Sequence, residues 1–336
     1  MGGIIGTLTY FYCRSGCQAS VVASYLAFHP PEPTYVLGDE NNNSDVEGIK
    51  STNSNSNSNS NSNSNSNSSS SRIVSFTRKD TTASSSKPDS WSSITNENVE
   101  HSAYILQTKS SQSKIAVLYF KQKDAVEHTI LFSHGNAVDL GDMFSLLRSL
   151  SVKLKVNVVA YDYTGYGPIE RHNPLVRPTE KQTYKDIDAV YQFLVDSGRV
   201  NDPGKQLVLY GQSVGSGPSI YLAATKRPVA GLVVHSGILS GIRVLTPSRL
   251  LCCFDIYPNV DRISKINCPV FLMHGVDDQT VPIHHGTGLY NHAPPRLRVE
   301  PWWVPRRGHN DILQGNEKLY FDKMEKFLDL LLSVRS

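Results

Sequence analysis

The chain has 336 residues and a net charge of +3, from 33 Lys and Arg against 30 Asp and Glu. No block of Lys or Arg stands out and no basic run is interleaved with aromatics, so the usual footprint of a nucleic-acid binder is missing. Its five cysteines, Cys13, Cys17, Cys252, Cys253 and Cys268, form an odd, sparse set without a CxxC pair, which argues against a disulfide framework and against a zinc site.

Residues 1–28 are mostly apolar and carry one charge, Arg14. The stretches on either side of Arg14 are too short to cross a bilayer as a helix. No basic residue precedes the first apolar stretch, as a signal peptide would require. Surface attachment is the expectation instead. Cys13 and Cys17 sit among Tyr10, Phe11, Tyr12, Val21, Val22 and Leu26, a setting that suits S-acylation. Two acyl chains anchor a protein where one binds only marginally. Residues 1–40 are therefore predicted to be a membrane-association segment. Residues 41–98 follow as an Asn/Ser-rich insert, with strict alternation from Asn53 to Ser68. Residues 41–71 are almost entirely Asn and Ser and have almost nothing apolar to bury, so they cannot offset the entropy of ordering their backbone; disorder is predicted for them and for the Ser/Thr-rich stretch that continues them. The remaining stretch, 99–336, is long enough for one α/β domain.

Within that stretch, Ala103 to Thr108 and Lys114 to Phe120 read as a hairpin. His128 to Ser133 is a short apolar strand. Leu140 to Leu154 has helical periodicity through Met143, Leu146, Leu147 and Leu150. Val156 to Tyr161 is another apolar strand. Thr179 and Gln182 have the spacing of a capping box ahead of a helix reaching Leu194. Gln206 to Tyr210 is a strand, followed by a small-residue helix to about Thr225. Gly231 to His235, Val270 to His274 and Leu297 to Val304 complete the strands, and Asn316 to Leu332 is a closing amphipathic helix. Apolar strands that alternate with helices need cover on both faces, which predicts a parallel sheet between helical layers.

Gly211-Gln212-Ser213-Val214-Gly215 lies between an apolar strand and a helix. That is the context in which a Gly-x-Ser-x-Gly turn lifts a serine hydroxyl above a sheet edge. A hydroxyl needs a base, and the base needs an orienting acid. In this architecture the acid follows a later strand and the histidine follows the last one. Asp277 and Asp278 both stand just after Val270–His274, whereas Asp255 and Asp261 lie before that strand. His309, in Gly308-His309-Asn310-Asp311, follows the last strand. His235 and His274 end strands and are placed to line the site. His284, His285 and His292 read as ordinary helix residues. Oxyanion donors are expected at the backbone N–H of Val214 and at that of Asn136, in the loop Ser133-His134-Gly135-Asn136-Ala137.

With these residues in hand, the chain resembles the α/β-hydrolase-domain 17 family of membrane-associated protein depalmitoylases. The matching stretches are Ala27 to Tyr35 (AFHPPEPTY), Ser133 to Gly141 (SHGNAVDLG), Tyr161 to Gly167 (YDYTGYG), Pro178-Thr179-Glu180, Tyr210 to Gly215 (YGQSVG), Cys253-Phe254-Asp255, Pro258-Asn259 and Gly308 to Asp311. The resemblance implies an α/β-hydrolase fold, a mostly parallel central sheet flanked by helices. Its motifs select Asp278 as the acid, beside Ser213 and His309. It implies cleavage of long-chain acyl thioesters on S-acylated proteins at the cytoplasmic face of plasma or endosomal membranes. The enzyme would be peripheral, with no cofactor, metal or nucleic acid.

Three departures carry expectations of their own. Only Cys13 and Cys17 stand where the family has a dense cysteine cluster. Pro168 to Arg177 is longer than its counterpart and is expected to reshape the site rim. Arg306-Arg307 precedes the histidine where the family is small and uncharged, and is expected to hinder an apolar acyl chain or to favour anionic surfaces. The alternatives to a thioesterase are another serine hydrolase built on the same residues and a non-catalytic binding protein on the same fold.

Overall fold

The computed structural model describes residues 24, 27–38, 71–79, 98–108, 113–124, 126–245 and 255–333. One ten-stranded sheet organises them, in the order β1-β2-β3-β4-β6-β5-β7-β8-β9-β10. The strands are β1 Tyr35–Gly38, β2 Ser71–Arg78, β3 Val99–Gln107, β4 Lys114–Gln122, β5 Thr129–Ser133, β6 Asn157–Tyr161, β7 Leu207–Gln212, β8 Gly231–His235, β9 Val270–Gly275 and β10 Trp302–Val304. The first four run antiparallel and join β6 antiparallel. From β6 to β10 every pairing is parallel.

Side chains of a strand alternate between faces, and the two cores follow that alternation. Leu131, Val159, Leu209, Leu232, Val234 and Leu272 belong to one core. Ile130, Phe132, Val158, Val208, Tyr210, Val233, Phe271 and Met273 belong to the other. The first core is covered by α2 (Glu180–Asp196), α3 (Ser216–Ala223) and α4 (His284–His292), through residues such as Ile187, Val190, Ile220 and Leu289. The second is covered by α1 (Leu140–Leu154) and α5 (Glu317–Ser333), through Leu147, Leu150, Met324 and Phe327. Central strands buried on both faces explain why β5 to β9 read as apolar runs.

Three expectations are corrected. The sheet does not begin at residue 99, since β1 and β2 lie in the segments expected to be outside the domain and extend the sheet edge through β3. Their pairing is long-range in sequence, so local patterning could not show it. The last strand is Trp302–Val304 rather than Leu297 to Val304, because Pro295–Leu297 forms a 3₁₀ turn. At α2, Thr179 caps Gln182 N–H, but Gln182 does not complete a box and donates to Asp186 instead. The full capping box belongs to Asp139 and Asp142 at the start of α1.

Candidate active site

The strands β5, β7 and β9 release their C-terminal ends at one edge, the edge where open α/β sheets bind ligands. At the end of β7 the chain turns through Ser213, whose φ is +52°. A non-glycine residue is held in that region only when its surroundings impose it. Here the surroundings are close backbone. A Cβ at Gly211 would sit 2.7 Å from Gly215 O, and one at Gly215 would overlap the carbonyl oxygens of Ser133 and His134. The glycines let β7, the 3₁₀ turn Ser213–Gly215 and α3 crowd together, which leaves the serine side chain projecting.

The loops after β9 and β10 are stitched by Val276 N–H to Val304 O and by Asp277 N–H to Arg307 O, both 2.9 Å. This brings His309 over Asp278. His309 Nδ1 donates to Asp278 Oδ2 at 2.7 Å, and Ser213 Oγ lies 2.8 Å from His309 Nε2. Of the two adjacent aspartates, Asp277 is exposed and Asp278 is buried against the imidazole. Asp278 Oδ1 accepts the N–H groups of Thr280 (2.9 Å) and Val281 (2.7 Å). Burial opposes its ionisation, but donation from His274, His309 and Val281 outweighs burial and holds the carboxyl well below the usual carboxylate range. A serine donating to an imidazole that a buried carboxylate orients can lose its proton while attacking a carbonyl.

Val214 is the second residue of the 3₁₀ turn Ser213–Gly215, and the first N–H groups of such a turn have no acceptor within it. Opposite stands the loop after β5. Asn136 uses its side chain entirely on neighbours, accepting from Tyr166 Oη at 2.7 Å among others. Its backbone N–H is the donor expected of a loop in this place. Gly135 lies beside Ser213, and a Cβ there would reach Ser213 Cβ at 3.8 Å, an ordinary contact. Two of the sequence motifs prove to be one network beneath this loop. Ser133 Oγ meets Tyr161 Oη at 2.9 Å, and Tyr163 Oη donates to His134 O at 2.6 Å. Asp162 accepts from Leu140 N–H at 3.1 Å and from the Tyr35 hydroxyl. Gly167, with φ +64°, has no room for a Cβ against Asp162 and Tyr35.

Ser213, His309, Val214, Gly135 and Asn136 line a cavity of about 330 Å³. Its other walls are chiefly apolar: Val138, Met143, Ile238, Val244, Ile256 and Val281. The buried Tyr257, with φ +52°, forms part of the wall. Glu180 accepts its N–H at 2.9 Å and pairs with Arg262 at 3.3 Å, which gives the Pro178-Thr179-Glu180 motif a structural task. Sequence reasoning attached no role to Asp162, Tyr166, Glu180 or Tyr257, although each lies in or near a quoted motif.

Several expected features fall elsewhere. His235 and His274 do not line the cavity. His235 is buried, meets Tyr210 Oη at 2.9 Å, and has its pKa pushed down to about 3, by burial first and then by His309 and His274. His274 lies behind Asp278. No residue of 168–177 lines the cavity; that stretch packs on the N-terminal arm, with Arg171 Nε donating to Pro31 O at 2.9 Å. Arg306 and Arg307 also stand off the cavity, and Arg307 is 3.9 Å from Asp311. Cys13, Cys17, Cys252 and Cys253 lie outside the described residues. The Cys268 thiol is buried, which pushes its pKa up to about 12. Among the described residues no group of three or more His, Cys, Asp or Glu is arranged to hold a metal ion, and no helix is long and apolar enough to cross a membrane.

Comparison with known proteins sets this geometry in a family. Mouse and human proteins named alpha/beta hydrolase domain-containing protein 17C are 33% and 36% identical to the chain over 328 and 329 residues, covering 97% of this chain and 95% of each relative. The human protein 17B is 33% identical over 323 residues, covering 96% of this chain and 95% of its own length. Among solved structures, an esterase of Pyrococcus furiosus superposes with a TM-score of 0.53 at 17% identity, over 69% of this chain and 92% of that one. Acetyl xylan esterase 1 from Thermoanaerobacterium sp. gives 0.51 at 17% identity, over 70% and 86%. At such identity these structures speak for the α/β-hydrolase fold alone. No protein-family profile matches the chain. Sharing about a third of its residues with these relatives along nearly the full length of both chains, the protein belongs to the alpha/beta hydrolase domain-containing protein 17 family.

Proposed function

We propose that the protein is a serine hydrolase that cleaves long-chain acyl thioesters from S-acylated proteins. One observation carries this reading: the hydrogen-bonded chain Ser213–His309–Asp278, at 2.8 and 2.7 Å, opens into a mostly apolar cavity. Ser213 Oγ attacks the thioester carbonyl while His309 Nε2 takes its proton. Asp278 keeps Nδ1 protonated and stabilises the imidazolium. The oxyanion is received by the N–H groups of Val214 and Asn136. The C–S bond then breaks, and the thiolate leaves with the proton from His309. Its conjugate thiol has an ordinary pKa of about 8.5, which makes it a good leaving group. Water attacks the acyl-enzyme, gives its proton to His309 and releases the fatty acid, and Ser213 recovers its hydrogen.

The apolar N-terminal segment fits the same reading, with Cys13 and Cys17 as acylated anchors that hold the protein peripherally on the cytoplasmic face of a membrane. Replacing both with serine is expected to release it from the membrane fraction. Unchanged partitioning would remove the anchor.

The decisive assay compares wild type with Ser213→Ala on a palmitoyl-thioester peptide and on a short-chain oxyester. Preferential, Ser213-dependent cleavage of the thioester is expected. Cleavage of the short ester alone would make the protein a general esterase. No cleavage of either would leave a binding protein on a hydrolase fold.

A further inference from the structure

We propose that the N-terminal arm, residues 27–35, is a positioning element of the active site and acts through Asn136. The proposal rests on the reading above, in which the Asn136 N–H receives the oxyanion. The Asn136 side chain is a clamp on the arm. Its Nδ2 donates to Ala27 O at 2.9 Å, and its Oδ1 accepts His29 N–H at 2.9 Å. The same oxygen accepts Tyr166 Oη at 2.7 Å and Ala137 N–H at 3.0 Å. The amide thus has a partner for each role it plays, and two of those partners are backbone groups of the arm.

Between the two clamped groups, Phe28 is buried and meets Tyr257 edge-on, with ring centroids 6.2 Å apart. The arm therefore touches both the oxyanion loop and Tyr257 of the cavity wall, and Ala27 itself lines that cavity. Further along, Thr34 N–H donates to Asp139 Oδ2 at 2.7 Å, and the Thr34 hydroxyl donates to Oδ1. Asp139 in turn caps α1 through Gly141 and Asp142 N–H. The loop from Asn136 to Asp139 is held by the arm at both ends. In its middle Ala137 has φ +56°, a conformation that needs such external support. Oxyanion donors work only when fixed in place before the charge develops. The arm supplies that fixity, so it is part of the working site as well as a link to the N-terminus.

The test uses the full chain and p-nitrophenyl butyrate. His29→Pro removes the backbone donor to Asn136, whereas His29→Ala keeps the donor and removes only an exposed ring. The kcat of His29→Pro is expected about tenfold below that of His29→Ala, the effect of one lost hydrogen bond felt at the transition state, with KM changed less than about twofold. Asn136→Ala keeps the backbone N–H but opens the clamp. It covers the case in which proline disturbs folding, and it should show the same split. Equal kcat in the two His29 variants, or wild-type kcat in a folded Asn136→Ala, overturns the proposal. If the wild-type chain shows no turnover that Ser213→Ala abolishes, on this ester or on a palmitoyl-thioester peptide, the functional reading falls and the role of the arm falls with it; where only the thioester is turned over, the same comparison of variants is read on that substrate.

Discussion

His274 Nε2 lies 3.3 Å from Asp278 Oδ2, the same oxygen that His309 Nδ1 holds at 2.7 Å. His274 Nε2 also donates to Val281 O at 2.7 Å, so its proton is on Nε2 and is shared between that carbonyl and the carboxylate. Against the cost of burial, this donor is foremost in keeping Asp278 ionised. His274→Phe preserves a flat ring and deletes the donor. The Asp278 pKa should then rise toward the ordinary carboxylate range, because burial is less opposed. The expected outcome is a fall of about tenfold in kcat/KM at neutral pH, with activity lost at a higher pH on the acid side than in wild type. Superimposable pH profiles would show that His274 only fills space.

The Ser213 backbone is the second place where geometry makes a measurable claim. Alanine and glycine at this position are both expected to abolish hydrolysis, but they differ in how they tolerate φ +52°. A Cβ in the left-handed region costs about 1–2 kcal/mol, part of which glycine gives back through its freer unfolded chain. Ser213→Gly should therefore be more stable than Ser213→Ala by about 1 kcal/mol in denaturant unfolding. A less stable glycine variant would mean that the turn is not strained.

What could be read from the sequence was whatever is local. Gly211, Ser213 and Gly215 announce themselves because steric crowding over five residues demands that spacing. His309 was found because a short glycine-led loop precedes an amphipathic helix. The residues by themselves left Asp277 and Asp278 level. Which one is buried depends on the bend after β9 and on the stitch from Asp277 N–H to Arg307 O, and no local pattern encodes that. The arm and β2 escaped for a related reason. Tyr35–Gly38 pairs with Ser75 to Arg78 across the Asn/Ser run, and a four-residue strand has too little alternation to be recognised. Asp162 is a buried carboxyl whose partners are Tyr35, on the arm, and His134 and Leu140, between the end of β5 and the start of α1, two stretches about a hundred residues apart.

Buried neutral histidines give the stability a pH dependence of known sign. Burial pushes the pKa of His235 down to about 3, helped by His309 and His274, and that of His285 to about 4, helped by His284. In the unfolded chain both return to about 6.5. Between about pH 6.5 and pH 4 the unfolded state binds protons that the folded state refuses, so stability falls as pH falls and these two groups add no slope above about pH 7. His285 Nδ1 accepts Leu239 N–H at 3.0 Å, a task an asparagine oxygen can assume. His285→Asn should flatten the curve over this window by up to one proton, or about 1.4 kcal/mol per pH unit. An unchanged slope in chemical-denaturation series across this range would assign the dependence to other groups.

The shape of the cavity makes the last claim, about chain length. Val244 is one of its apolar wall residues and no member of the Ser213–His309–Asp278 chain. Val244→Trp puts an indole into a space of about 330 Å³. If the acyl chain occupies that space, the substitution displaces several methylenes. Each buried methylene contributes about 0.8 kcal/mol, so losing roughly four lowers kcat/KM for a palmitoyl thioester by about 200-fold. A butyryl ester is too short to reach the blocked part and should keep its rate within about threefold. Measuring both substrates on the same preparation separates a shortened pocket from a damaged active site. Parallel loss on the two would mean that Val244 supports the catalytic residues. No loss on either would place the long chain outside this cavity, along the surface rather than within it.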